Sequence, residues 1–293
     1  MIRTLHALEH IRRMPGGSQA HLMKCSDRNN YVVKFQNNPQ GPRILANELL
    51  GSLLAGVLQL PIPRMALIHV SEEIIRRNPD MKICRKHGSE SCRAGLCFGS
   101  HFPSSLNCPG GPSVMVFRDD LPGSMRWDIV ENKRDFLGML VFDKWTCNTD
   151  KRQCIFIRNS ADLLYTAEMI DQGNCFGGEY WTFGDGALQG LCRHHEVYQD
   201  VVGVEDFEGW LRPLENEIDQ EILRGAADLV PPKWYGFEQD RFTELLRRLD
   251  SRRTHVRNLI SSMLQSCEAI FPHANRGNSE PLCAENRARG QAA

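Results

Sequence analysis

The stretch "YVVKF" (Tyr31–Phe35) limits the fold more than any other, because it places a lysine inside an apolar, β-branched run. A buried ammonium is costly unless a carboxylate pairs with it or it holds an anion. The surrounding sequence supplies the frame. "AHLMKCSD" (Ala20–Asp27) and "NYVVKFQ" (Asn30–Gln36) enclose the turn-rich "SDRNN", a hairpin signal. After "NNPQGP", the run "RILANELLGSLLAGVLQL" (Arg43–Leu60) carries apolar residues at helical spacing until Pro61 and Pro63 stop it. That helix bears Glu48, fourteen residues beyond Lys34. A strand lysine usually faces solvent, but the carboxylate on the following helix favours a paired Lys34.

Further along, "RMALIHV" (Arg64–Val70) reads as a strand and "EEIIRRNP" as a short helix ended by Pro79. From Asp80 to Pro112 the chain is rich in Gly, Ser, Cys and Pro and reads as a long irregular insertion. "SVMVFRDDLPG" (Ser113–Gly123) gives a buried strand running into a polar turn, where a boundary between two lobes is expected. Beyond it the period becomes helical. "KRDFLGMLVFDKW" (Lys133–Trp145) is a buried helix, "QCIFIRN" and "DLLYTAEMID" a strand pair. "ENEIDQEILRGAADL" and "FEQDRFTELLRRLDSRRTHVRNLISSMLQ" are amphipathic helices on either side of "PPKWYG". The expectation is an α+β, two-lobed chain: residues 1–117 β-rich, residues 118–272 α-rich, and a cleft between them. Residues 273–293 are polar, and from Asn275 onward lack apolar periodicity, so a disordered tail is expected.

Composition removes several alternatives. A net charge of −1 and a pI near 6.8 give no whole-chain reason for binding nucleic acid or an anionic membrane. No apolar run approaches the ~20 residues of a membrane span. The start, "MIRTLHALEHIRRM", is too charged for a signal peptide, so a cytoplasmic location is expected. Eleven cysteines, an odd number, argue against a disulfide framework. Cys84, Cys92, Cys97 and Cys108, with His87 and His101, lack a Cys-x-x-Cys pair. They read as reduced thiols rather than as a zinc site. His194 and His195 point apart as sequence neighbours and read as surface or supporting residues.

Three stretches carry chemistry. "MPGGSQ" (Met14–Gln19) precedes the lysine hairpin, and the backbone N–H groups of Gly16, Gly17 and Ser18 suit a phosphate. In "DKWTCNTDKRQCIF", Asp150 lies on a polar turn after a buried helix. In "MIDQGNCF", Asp171 leaves an apolar strand beside a glycine, where a carboxylate reaches a cleft. A lysine on a strand, a glutamate on the next helix and two later aspartates are, in this order, the parts that phosphoryl transfer uses.

With those residues in hand, the chain resembles the HipA-like kinase domains, a bacterial branch of the protein-kinase-like superfamily. "YVVKFQNNPQGPRILANELLGSLLAGVLQLPIP", "FDKWTCNTDKRQCIF" and "MIDQGNCF" carry the resemblance, over roughly Met1 to Pro272. It implies a two-lobed protein-kinase-like fold, ATP with magnesium, and transfer to a protein Ser/Thr or a small-molecule hydroxyl. Lys34 is similar to the phosphate-binding lysine and Glu48 to its helix partner. Asp150 resembles the aspartate that orients the acceptor, and Asp171 the magnesium-binding aspartate. Val116, Phe117 and Arg118 fall where hinge backbone meets adenine. One position departs: the metal-binding Asn expected five residues after Asp150 is Ile155. Asn148 and Gln153 are the nearby amides, with Asn148 the one assigned to metal. That departure leaves an alternative, a nucleotide-binding pseudokinase acting as an interaction or regulatory module.

Overall fold

The computed structural model describes residues 2–103, 114–118, 127–159, 162–186 and 188–274. Strands β1 (Arg3–Arg13), β2 (His21–Cys25) and β3 (Asn30–Lys34) open the chain, followed by helix α1 (Ile44–Val57) and β4 (Met65–Val70). After the short α2 (Glu72–Arg77) come the hairpin β5 (Lys82–Arg85) and β6 (Gly88–Ser91), then β7 (Gly95–Phe102). The first five long strands close into a barrel in the order β1-β2-β3-β7-β4. Inside it pack Leu5, Met23, Val33, Phe35, Ile68 and Cys97, all buried.

The structure differs from the sequence expectation between Asp80 and Phe102. This stretch is not irregular: β7 lies in the barrel, pairing antiparallel with both β3 and β4. At least one of its small residues is a packing requirement. A Cβ on Gly99 would sit 2.4 Å from Cγ1 of Ile68 on the neighbouring strand. Composition that looks like a loop is here a strand in close contact with its neighbour. β1 was likewise hidden, because its outer face is charged and exposed along most of its length. Residues 104–112 of the expected insertion lie outside the described residues.

The second half is built on a small sheet and a helical cluster. β8 (Val114–Arg118), β9 (Gln153–Asn159) and β10 (Thr166–Ile170) form one antiparallel sheet in the order β10-β9-β8. β8 therefore belongs with β9, not with the barrel, and Val116–Arg118 are paired to Ile155–Ile157. The strand that leaves the barrel is β7. Val116, Phe117 and Arg118, expected at the hinge, thus lie on the edge strand of this second sheet.

Helix α3 (Asp135–Thr146) is buried on nearly every face and packs with α4 (Glu208–Asn216), α6 (Gln239–Arg253) and α7 (Val256–Ser266), while α5 (Gln220–Ala227) packs on α1 and α6. The long C-terminal periodic run thus divides at Thr254–His255 into α6 and α7. Trp145 ties α3 to α6 through an indole N–H to Leu249 O, 2.9 Å. A large cluster runs from α1 (Leu49, Leu50, Leu54) through α3 (Phe136, Leu140, Phe142) to α7 (Ile260, Met263). Each such fully buried side chain contributes roughly 1.5–3 kcal/mol of transfer free energy. α1 spans the barrel and this cluster, so its Glu48 is held in a fixed place. Among the described residues no helix is long and apolar enough to cross a membrane. The segment from residue 275 lies outside the described residues.

The candidate active site

Lys34 ends β3 and points inward, its side chain only 9% exposed. Its ammonium donates to Glu48 Oε1 of α1 and, at 2.8 Å, to Asp171 Oδ1 just after β10. Three sequence-distant residues therefore meet at one nitrogen. Burial alone would disfavour the ammonium, but the carboxylates of Asp171 and Glu48 overcome it and raise the lysine pKa above its ordinary value. Burial also raises the Glu48 carboxyl, to about 7, with Lys34 pulling it down and Asp171 pushing it further up. The direct contact favours the ion pair at neutral pH.

Asp171 reaches this position through an unusual backbone. Its φ is +65°, a conformation L-residues seldom adopt. The turn sends its carboxylate toward Lys34 while the next amide, Gln172 N–H, donates to Glu48 Oε2 at 3.3 Å. α1 approaches closely: a Cβ on Gly51 would meet Gln172 Cβ at 2.8 Å.

The glycine loop is the β1–β2 connection. Met14 N–H donates to Ala20 O at 2.8 Å and closes it, Gly16 adopts φ +114°, and Gly16 and Gly17 are exposed. Ser18 O accepts from Asn38, and the Gln19 side chain brackets Cys84 of β5, accepting its N–H at 2.7 Å and donating to its O at 2.8 Å. The small hairpin β5–β6 thus braces the loop. Of the cysteines considered for zinc, Cys92 and Cys97 are buried in the barrel, and Cys84 is exposed on β5. Cys108 lies outside the described residues. No group of three His, Cys, Asp or Glu suited to a metal occurs among the described residues.

Asp150 lies on an exposed turn, where α3 is stopped by Cys147 in the left-handed conformation (φ +51°). What holds the turn was not read from sequence. Asp143, on the last turns of α3, takes two bonds from the Arg152 guanidinium, one of them 2.8 Å from Nε to Oδ2. Asn148 Nδ2 donates to Asp143 Oδ1 at 3.0 Å, and Asn148 Oδ1 accepts the Asp150 N–H at 3.1 Å. Arg152 also donates to Ile170 O at 2.8 Å, next to Asp171. Asn148 is therefore a buried strut, and its amide oxygen already serves Asp150. Asn174, also missed, accepts the Thr149 N–H through its carbonyl and lies 3.5 Å from Asp150 Oδ2.

Ile155 is buried in β9, so the position five beyond Asp150 lies within a strand. The amide at the mouth of the turn is Gln153, the first residue of β9. It lies opposite Ile170 in the sheet and 3.4 Å from Asp150 Oδ2. Asp171, Asp150 and the Gln153 amide are hard oxygen donors, and magnesium typically takes one or two carboxylates with the remaining positions left to phosphate and water. The residues present fit that ion.

A strand lysine clasped by a helix glutamate and by an aspartate beyond a second sheet, with a glycine hairpin loop on the lysine barrel, places the fold in the protein-kinase-like class. The chain belongs to the HipA-like kinase family, whose model matches residues 8–263. Among solved structures it is similar to hydra Fam20 with sugar, at TM-score 0.53 and 12% identity over 89% of this chain and 86% of that one. It is also similar to the Helicobacter pylori proinflammatory kinase CtkA (TM-score 0.49, 12% identity, 84% and 95% covered). The Golgi casein kinase with Mn and ADP bound gives TM-score 0.47 at 10% identity, with 89% and 74% covered. No curated protein matches the chain at significant similarity.

Proposed function

We propose that the protein is an ATP- and magnesium-dependent phosphotransferase that uses an alcohol, a protein Ser/Thr or a small-molecule hydroxyl, as acceptor. The observation carrying this reading is the joint hold of Glu48 and Asp171 on Lys34. In the two-lobed arrangement expected of the family, Lys34 faces the cleft and neutralises phosphate charge as the bond to the leaving oxygen lengthens. Backbone N–H groups of Gly16, Gly17 and Ser18 line the phosphates. Asp150 orients the acceptor hydroxyl and accepts its proton. Asp171 would hold magnesium, with Gln153 rather than Asn148 supplying the amide oxygen. Bound there, the ion supplies charge neutralisation between the phosphates.

A second reading, a nucleotide-binding pseudokinase, is favoured by one observation, the buried Ile155 at the position of a metal-binding amide. Incubation with labelled ATP and magnesium, alone and with cell lysate, separates the two. Transfer by wild type that is lost in Asp150→Asn supports the enzyme; ATP binding without any transfer supports the pseudokinase.

A further inference from the structure

Asn47 has no part in the chemistry described above, yet it is buried at the helix position next to Glu48. Neighbouring helix residues point about 100° apart. While Glu48 faces Lys34, the Asn47 amide faces the chain that follows Asp171. Its Nδ2 lies 2.9 Å from Gly173 O, 3.2 Å from Cys175 O and 3.0 Å from Gly178 O. Its Oδ1 accepts the Trp181 indole N–H at 2.8 Å. The far side of Trp181 is closed by Arg43, whose guanidinium stacks 4.5 Å from the ring centroid. Arg43 also donates to Glu179 O at 2.9 Å and to Glu238, the residue just before α6, at 2.6 Å.

The segment so held is wound tightly. Phe176, Gly177, Gly178 and Trp181 all have positive φ, as does Asp171 itself. A Cβ on Gly177 would lie 1.7 Å from Thr182 O. Left-handed non-glycine residues persist only where surrounding structure fixes them. Here one amide is shared among three of the segment's carbonyls from the α1 side, while Gly177 N–H donates to Cys147 O at 3.1 Å on the α3 side.

We propose that Asn47 is a positioning residue: with Trp181 and Arg43 it latches segment 171–181 to α1, so that Glu48 and Asp171 reach Lys34 as one unit. The statement about metal rests on the phosphotransferase reading; the statement about coupling does not. Loosening the latch frees Asp171 from Lys34, and the metal site weakens before the nucleotide pocket does.

The test uses the full chain with Asn47→Leu, of similar volume but without polar atoms, and Trp181→Phe, which keeps an aromatic ring and removes the donor. Amide hydrogen exchange by mass spectrometry is expected to speed up at least tenfold in peptides covering 171–182 and in the first turns of α1 in Asn47→Leu. Trp181→Phe should give a smaller rise in the same peptides, and exchange in α3 should stay within twofold of wild type for both. Binding of fluorescent ADP with and without Mn2+ gives the second readout. Asn47→Leu should lose at least tenfold of the Mn2+-dependent gain in affinity, with metal-free affinity within threefold of wild type. Unchanged exchange in 171–182, or a uniform rise across all helices, overturns the proposal, as does equal loss of metal-free and metal-dependent binding. If Asn47→Leu does not fold, the Trp181→Phe exchange pattern decides. A wild type that binds no ADP with or without Mn2+ refutes the phosphotransferase reading, and the exchange data then decide the latch alone.

Discussion

The protein buries two clusters of charge within a few residues of one another, and they are built differently. Asp143 and Arg152 are sealed, with side-chain exposures of 0% and 1%, and their bonds go to each other, to Asn148 and to the Ile170 carbonyl. Lys34, Glu48 and Asp171 place two carboxylates on one ammonium and leave Asp171 at 13% exposure. The sealed pair is saturated by protein and serves as a brace. The open cluster sets two carboxylates against one ammonium, and under the proposed function that charge would suit a cation. A buried ion pair is poor evidence for stability as such, but a broken one leaves an uncompensated charge.

Breaking the sealed pair should have the largest effect on folding. Arg152→Leu is expected to lower unfolding free energy by about 3–5 kcal/mol, read from urea denaturation. The double variant Asp143→Leu/Arg152→Leu should recover part of that loss without recovering phosphate transfer, because Asn148 loses its anchor. Recovery of both would reduce the brace to a packing element.

The open cluster should respond the other way. Lys34→Met is expected to cut transfer by about 10²–10³-fold. It should destabilise less than Arg152→Leu, since Asp171 reaches solvent and Glu48, already raised to about 7, takes up a proton. Gln153→Leu sharpens the contrast between Gln153 and Asn148. It should raise the magnesium requirement about tenfold at nearly unchanged stability, whereas Asn148→Leu should destabilise the turn.

The smallest effect concerns a buried group outside both clusters. His21 lies inside the barrel wall, 3.0 Å from His10 and 3.6 Å from Cys92 Sγ. Burial, then the neighbouring His10 and Arg13, depresses its pKa from 6.5 to about 4. Below pH 6.5 the unfolded chain binds a proton the folded chain refuses, so this contribution to stability is present above pH 6.5 and lost as pH falls toward 4. Urea midpoints of wild type should fall over that window, and those of His21→Gln should fall less.

How much of this was legible beforehand follows from period and charge. Lys34, Glu48 and Asp171 stood out because each interrupts an apolar run, and an interruption inside a core needs a reason. Asp143 and Asn47 also interrupt apolar helices, in "LVFDKW" and "ILANEL", and the same signal could have found them. They were passed over because helices tolerate polar residues on an outer face, and only packing reveals that α1 and α3 have hardly any such face. β7 was hidden by its small residues, among them Gly99, whose size is set by Ile68 across the sheet. The pairing of β8 with β9 was out of reach, since a strand's sequence does not name its neighbour. That pairing puts Val116, Phe117 and Arg118, the residues expected at the hinge, in the second sheet.

The central claim is that the open cluster and the Asp150 turn together form a phosphoryl-transfer site. The most direct measurement is transfer from γ-labelled ATP with magnesium, to the protein itself or to lysate components, by wild type and by Asp150→Asn at matched ATP occupancy. The account predicts label transfer by wild type, reduced about 10²–10⁴-fold in the variant, with equal ATP affinity and equal urea midpoints. Equal transfer by both proteins, or none by either while ATP is bound, would contradict it.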